Sequence, residues 1–311
     1  MKFDKQAETI DNLIGKLVNQ GLAINDLKKA KRYLTNIGFY RLSAYMSIFQ
    51  SNTTSRRFNK GTSFDDILNL YVFDRKLRLL LLDAIERVEI AIRANIIDIL
   101  SLKHNNPYFY TDPNVFFNHF SCDKFIAKIR DTLKGSDKRE TFIKHYYSHS
   151  QLENELPPSW MMFQLLTFKQ LSVFIDSIKH GDAKLLSNQF NLKNTKTFSS
   201  WIRSLSDLRN VCAHHSRLWN RIFGTIPVIP HLDAAMIIDI PAKISLLENM
   251  IPIKPHRKLY FQIVILWFFL KQINPKSTWV SRLINLLKEY NIPIEHMGFP
   301  NDWINDKFWN V

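Results

Sequence analysis

The sequence predicts an all-α protein, and three observations carry that reading. Apolar residues recur at helical spacing over long stretches. Only 8 glycines and 12 prolines punctuate 311 residues, too few for a turn-rich β architecture. The breaks that do occur, such as Asn105-Asn106-Pro107 and Pro157-Pro158, fall between periodic stretches and leave 64–102 without a Pro or Gly.

Taken in order, residues 1–50 hold short helical segments at 9–19 and 25–36. Residues 51–63, rich in Ser, Thr, Asn and basic side chains, read as a linker. One long helix then spans 64–102, with Ser63 as its cap and Asp65 and Asp66 in its first turn, where the helix dipole favours acids. Residues 108–156 are mixed and aromatic, with a basic segment at 134–144. Pro157-Pro158 introduces a helix over 159–179, and a further helix covers 198–221. Pro227, Pro230, Pro241, Pro252 and Pro255 punctuate the remainder, which holds an apolar helix at 257–273 and another at 277–290. This gives an N-terminal helical segment (1–62), a helical core (63–225) and a C-terminal helical section (226–311).

Composition narrows the function. A hydrophobic share of 46% and a charged share of 23% are those of a globular protein. The net charge of +14 and pI near 9.7 suit a polyanionic partner, nucleic acid above all. The apolar run 259–270 is flanked by Lys258 and Lys271 and interrupted by Gln262. It is shorter than the ~20 residues of a spanning helix, so it reads as a core helix and no membrane role is expected. The first residues carry charge and no apolar leader. Cys122 and Cys212 alone cannot build a disulfide framework or a four-cysteine zinc site. A cytoplasmic location is expected. No P-loop, GxGxxG or GxSxG string is present, so no nucleotide cofactor is expected.

The informative segment is 205–221, LSDLRNVCAHHSRLWNR. If it is helical throughout, Asn210, His214, Arg217 and Arg221 fall within about 60° of one another and Ser206 borders that arc. Leu205, Leu208, Val211, Cys212, Leu218 and Trp219 take the opposite, packed side, and His215 falls among them. His214 is therefore expected to face the substrate and His215 to support from the core. Imidazole can serve as base or acid near neutrality, and guanidinium binds phosphate oxygens in a fork. This set suits cleavage of RNA without a metal, with Asn210 orienting a ribose or phosphate. Arg209 and His214 diverge by about 140° around one helix. Either the helix is irregular here or two copies pair their motifs, which makes a homodimer attractive.

At these residues the chain resembles a known family. Arg209-Asn210-Val211-Cys212-Ala213-His214 is similar to the R-x4-H motif of HEPN ribonucleases, and LRNVCAHHSRLWNR (208–221) resembles the signature of the Abi family of bacterial phage-defence proteins. GFYRLSAY (38–45), FDRKLRLLLLDAIERVEIAIR (73–93) and LPPSWMMFQLLTFKQLS (156–172) extend the likeness over most of 30–225. The resemblance implies a HEPN-like helical bundle with helical extensions at both ends, and metal-independent RNA cleavage by Arg209 and His214 with Asn210 beside them. It also implies pairing of two motifs in a dimer, a role in abortive infection or as a toxin, and control by a bound structured noncoding RNA. The alternative is a non-catalytic RNA-binding regulator that forms a ribonucleoprotein with such an RNA; a membrane-acting toxin is a third, weaker reading.

Other residues are candidates for supporting roles. Tyr40 and Arg41 join an aromatic ring to a cation and could stack bases and hold phosphates, although packing of an N-terminal helix on the core also explains such aromatics. Lys254, Arg257 and Lys258, like Arg217 and Arg221, could grip an RNA backbone. Glu86 stands among apolar residues and could orient a catalytic group, while Asp83–Arg87 and Glu89–Arg93 read as i,i+4 surface pairs. His145, His149 and Glu153 lie a turn apart, but no fourth ligand accompanies them, so no metal site is expected.

Overall fold

The computed structural model describes residues 6–51, 55–134, 140–149, 156–230 and 257–310. Among them the secondary structure is helical, with three isolated β-bridges and no strand. The fold is all-α. The chain divides into two compact units, Met1–Leu79 with Leu283–Pro293, and Leu80–Arg282 with Ile294–Val311.

In the first unit, α1 (Ile10–Asn19), α2 (Leu27–Ile37) and α3 (Phe39–Met46) pack in succession. Thr9 and Asp26 cap the first two, each accepting a backbone N–H three residues on. α4 (Phe64–His104) begins here with Ser63 as the expected cap; Ser63 Oγ accepts the Asp66 N–H and Asp66 Oδ2 accepts the Ser63 N–H, so the cap is reciprocal. A buried polar network lies among the apolar side chains: Tyr45 donates to Asp74 at 2.7 Å, and Arg78 pairs with the same carboxylate. Burial and the Asp74 charge push the Tyr45 phenol well above its ordinary range.

The second unit holds the rest of α4, then α5 (His119–Leu133), α6 (Thr141–His149), α7 (Ser159–Met162), α8 (Phe168–Ser177), α9 (His180–Gln189), α10 (Thr195–Ala213) and α11 (Leu259–Ile273). α12 (Trp279–Tyr290) starts in this unit and ends in the first. Phe109, Phe116, Phe125, Phe163 and Phe174 form one aromatic cluster, with Phe125 and Phe174 centroids 4.9 Å apart. α10 packs on α8, α9 and α11. Every residue of α11 from Leu259 to Leu270 is buried, which bears out a core helix. Its one polar member there, Gln262, accepts a hydrogen bond from Ser204 of α10 at 2.8 Å. Among the described residues no helix is long and apolar enough to cross a membrane.

Three expectations about elements change. The helix expected over 159–179 is two: a 3₁₀ turn at Phe163–Leu165 interrupts it, and Thr167 starts α8 with a capping box to Gln170. The helix expected over 198–221 starts at Thr195, capped by Asn194, and ends at Ala213. Glu89–Arg93 is not a surface pair. Its side chains are only 15% and 14% exposed, and Arg93 also donates to the Leu166 carbonyl at 2.9 Å, tying α4 to the start of α8.

Candidate functional site

α10 presents its apolar side inward: Trp201, Ile202, Leu205, Leu208 and Cys212 are buried. Its last turn carries Arg209 and Asn210, both half-buried. The helix then stops in a Schellman motif. His214 is the C-cap, with its N–H on the Asn210 carbonyl at 2.9 Å. His215 follows in the left-handed region at φ 54°, its N–H on the Cys212 carbonyl at 3.0 Å, and the Ser216 N–H reaches the Val211 carbonyl at 3.0 Å. Asn220 is a second left-handed residue, φ 51°. The turns between them bury Leu218 and Trp219.

Beyond the turns the chain runs back along α10. Thr225 donates to the Asp207 carboxylate, the Val228 N–H donates to Ser200 Oγ at 3.0 Å, and Trp201 Nε1 donates to the Val228 carbonyl at 2.8 Å. The far side of the turns rests on the start of α11: the Phe223 N–H donates to the Arg257 carbonyl at 2.9 Å, and Arg257 Nε returns a bond to the Phe223 carbonyl at 3.3 Å. Trp219 lies against His296, ring centroids 5.2 Å apart.

The result is a concentration of cations at one end of α10. Arg209 donates one long bond, 3.5 Å, to Asn210 Oδ1. Arg221 donates to the Arg217 carbonyl at 3.3 Å and lies over the Phe223 ring at 5.9 Å. Lys258 donates to Asn220 Oδ1 at 2.9 Å and to the His296 carbonyl at 3.2 Å. Burial, and then the nearby Arg217 charge, holds the Lys258 ammonium below the ordinary lysine pKa. None of Arg209, Arg221, Arg257 and Lys258 meets a carboxylate among the described residues. Arg87, Arg93, Arg203 and Arg282 of the same unit each do. Half-buried cations without acid partners are electrostatically ready for an anion.

Of the residues expected at the site, Arg209, Asn210, His214, Arg217, Arg221, Arg257 and Lys258 belong to this one region. His214 is exposed, as expected. His215 is also exposed, because the helix ends before it and it never joins the apolar arc. Arg217 and Arg221 share the region through the turns and not through a helical stripe. Glu86 is exposed on α4 instead of standing among core residues. Tyr40, 91% exposed, and Arg41, also exposed, lie on α3 in the first unit; Tyr40 does not pack on the core. Lys254 and Glu153 lie outside the described residues. Among the described residues no group of three or more His, Cys, Asp or Glu is placed to hold a metal.

Sequence reasoning missed Asp207, which pairs with Lys169 at 3.7 Å and accepts from Thr225. Its spacing of seven from His214 puts the two about 20° apart around the helix, a signal that was available. Asn220 and His296 were also missed; Asn220 reaches Lys258 through the chain reversal after α10 and His296 from the 3₁₀ turn Ile294–Met297, which spacing does not reveal.

Comparisons with curated proteins and with solved structures find no match. The sequence profile of the family described as Abi-like protein matches residues 32–220, well over half of the 311. That span includes α10, the exposed His214 and the turns that follow it, and on this ground the chain belongs to the Abi-like protein family.

Proposed function

We propose that this protein is an endoribonuclease of the HEPN type that acts in abortive infection or as a toxin. The observation that carries the reading is the half-buried Arg209 guanidinium, without a carboxylate partner among the described residues, one turn before an exposed imidazole at the helix end. In the reaction a base removes the 2′-hydroxyl proton and the 2′-oxygen bonds to phosphorus. The bond from phosphorus to the 5′-oxygen breaks, and an acid protonates that oxygen. His214 serves as the general acid/base, Arg209 stabilises the phosphate charge, and Asn210 orients Arg209 and the substrate.

His214 keeps a near-helical backbone, φ −83° and ψ 11°. The divergence of about 140° from Arg209 therefore persists, which favours two copies that pool their Arg209 and His214 side chains. The partner is RNA, both as target and as a structured noncoding RNA that controls the enzyme. The test is incubation of purified protein with total RNA in EDTA and analysis of the ends. The expected products carry 2′,3′-cyclic phosphate and 5′-hydroxyl ends. RNA binding with no cleavage supports a non-catalytic regulator instead.

A further inference from the structure

We propose that residues 56–60 of the first unit form a docking surface for the phosphate backbone of base-paired RNA, distinct from the candidate cleavage site, which belongs to the second unit. The inference deepens the ribonuclease reading and rests on it for the identity of the anion as RNA. Its own basis is the conformation of Arg56 and the charge around it.

The composition of 51–63 predicts a linker, yet its described residues are fixed by backbone bonds. The Ser51 N–H donates to the Arg57 carbonyl at 2.9 Å, the Asn59 N–H to the Phe49 carbonyl at 2.8 Å and the Phe58 N–H to the Gln20 carbonyl at 2.9 Å. The Phe58 ring is buried. Further on, the Ala23 N–H donates to the Thr62 carbonyl at 3.0 Å and the Phe64 N–H to the Ala23 carbonyl at 2.8 Å. Lys29 pairs with Asp65 one residue later. The chain from 58 to 65 therefore runs beside 20–29. Arg56, Arg57 and Lys60 stand exposed on a fixed backbone.

Arg56 carries backbone strain. Its φ is 53°, in the left-handed region. Among the described residues six that are not glycine adopt a positive φ, and four of them are Asn, which tolerates it better than most. The two exceptions are His215, at the candidate site, and Arg56. Glycine or Asn would form the same turn with less strain, so the guanidinium is kept against the preference of the backbone. An outlier of this kind points to a use for the side chain.

Charge says what the use is. The first unit holds 15 Lys and Arg against 8 Asp and Glu, a net of +7, which is half of the whole chain's +14 in less than a third of its residues. Its described acids are all committed elsewhere. Glu8, Asp11, Asp65 and Glu289 pair with lysines. Asp26 and Asp66 take part in the caps of α2 and α4, and Asp74 is buried with Arg78. Arg56, Arg57 and Lys60 meet no carboxylate among the described residues, and neither do Lys28 and Arg32, exposed four apart on α2. This excess is available to a polyanion. Base-paired RNA fits it better than an unpaired strand. Unpaired bases are held by stacking on exposed aromatics, and the one aromatic of 56–60, Phe58, is buried. The cations that remain suit phosphates, which are gripped without reading the bases.

The test uses a 2′-O-methyl RNA hairpin, which lacks the attacking hydroxyl, so binding is read without cleavage. The Kd is measured by fluorescence anisotropy over a range of salt for the wild type, for Arg56→Gly, and for a triple variant with Arg56→Gln, Arg57→Gln and Lys60→Gln. A control with Lys124→Gln, Lys184→Gln and Lys276→Gln loses the same charge at exposed positions of the second unit. The triple variant is expected to weaken binding about tenfold or more and to lower the salt slope by about 2–3, the value of three lost contacts to duplex phosphates. Arg56→Gly is expected to bind more weakly with a Tm no lower than that of the wild type, because the strain leaves with the side chain. Wild-type affinity and slope in the triple variant overturn the proposal, as does an equal loss in the control. Unchanged binding and a lower Tm in Arg56→Gly also overturn it, since Arg56 then serves the fold. So does a triple variant that keeps the hairpin and loses phosphatidylserine vesicles, which assigns the surface to a membrane. If the triple variant fails to fold, Arg56→Gly decides the matter by the same readout. If the wild type never cleaves natural RNA yet these shifts appear, the nuclease reading fails and the docking surface stands.

Discussion

His215 holds a position that glycine usually takes. It is the residue after the C-cap of α10, at φ 54°, inside a complete Schellman motif. An L-residue in that conformation costs about 1–2 kcal/mol from contact between its Cβ and the following carbonyl. Replacing it by glycine removes that cost. Against this, glycine's greater freedom in the unfolded chain takes back about 0.5–1 kcal/mol. The net expectation is that His215→Gly is more stable than His215→Ala by about 0.5–1 kcal/mol, which for a chain of this size is a Tm difference of about 1–3 °C. His215→Ala keeps the Cβ and the strain, so it brings no such gain. The imidazole is exposed, and any interaction it makes is lost in both variants alike. Differential scanning fluorimetry on the two variants side by side checks this, since both lack the ring and differ only at Cβ. Equal Tm values for Gly and Ala, or a lower value for Gly, refute the assignment of backbone strain to this residue.

Removal of one partner of the fully buried Asp74–Arg78 pair leaves a charge without its counterion; Asp74→Ala should cost about 3–5 kcal/mol in urea unfolding. Gln262→Leu leaves the Ser204 hydroxyl buried without its acceptor on α11 and should cost about 1–3 kcal/mol by the same measurement. Lys258 has a pKa below the ordinary lysine value through burial and the Arg217 charge. Its protonated form, the one that binds an anion, is therefore lost at lower pH than an exposed lysine's. RNA affinity should begin to fall on the alkaline side earlier in the wild type than in Lys258→Met, whose remaining contacts titrate higher. Folding stability has the opposite sign. A depressed lysine pKa means that the unfolded chain binds more protons between the folded and ordinary values, so this residue's contribution rises with pH across that window. Denaturant midpoints taken at several alkaline pH values for the wild type and Lys258→Met check that sign.

The elements that the sequence disclosed are those that carry their own local signals. Ser63 with Asp66, the Pro- and Gly-free stretch behind them, and the apolar run 259–270 each announce a helix by composition or spacing, and each forms one. The end of α10 was hidden because His215 stands where a glycine would have marked the stop. The expected polar stripe extended too far for that reason, and His215 was assigned to the core. The break at Thr167 carried a readable signal, a Thr three residues before Gln170, overshadowed by the apolar run on either side of it. The candidate site itself was legible in part. Arg209, His214 and the basic residues after them are visible by type, but the bond from Lys258 to Asn220 depends on a chain reversal and a contact 38 residues apart in sequence. Glu86 misled for a simpler reason: apolar neighbours in sequence do not imply a buried face on a helix whose period is 3.6.

The account stands or falls on the imidazole at the end of α10. Single-turnover cleavage of a defined RNA in EDTA, compared between the wild type and His214→Ala, addresses it directly. The account predicts cleavage by the wild type and a loss of at least a hundredfold in the variant, with RNA affinity retained. Equal rates in the two proteins contradict it.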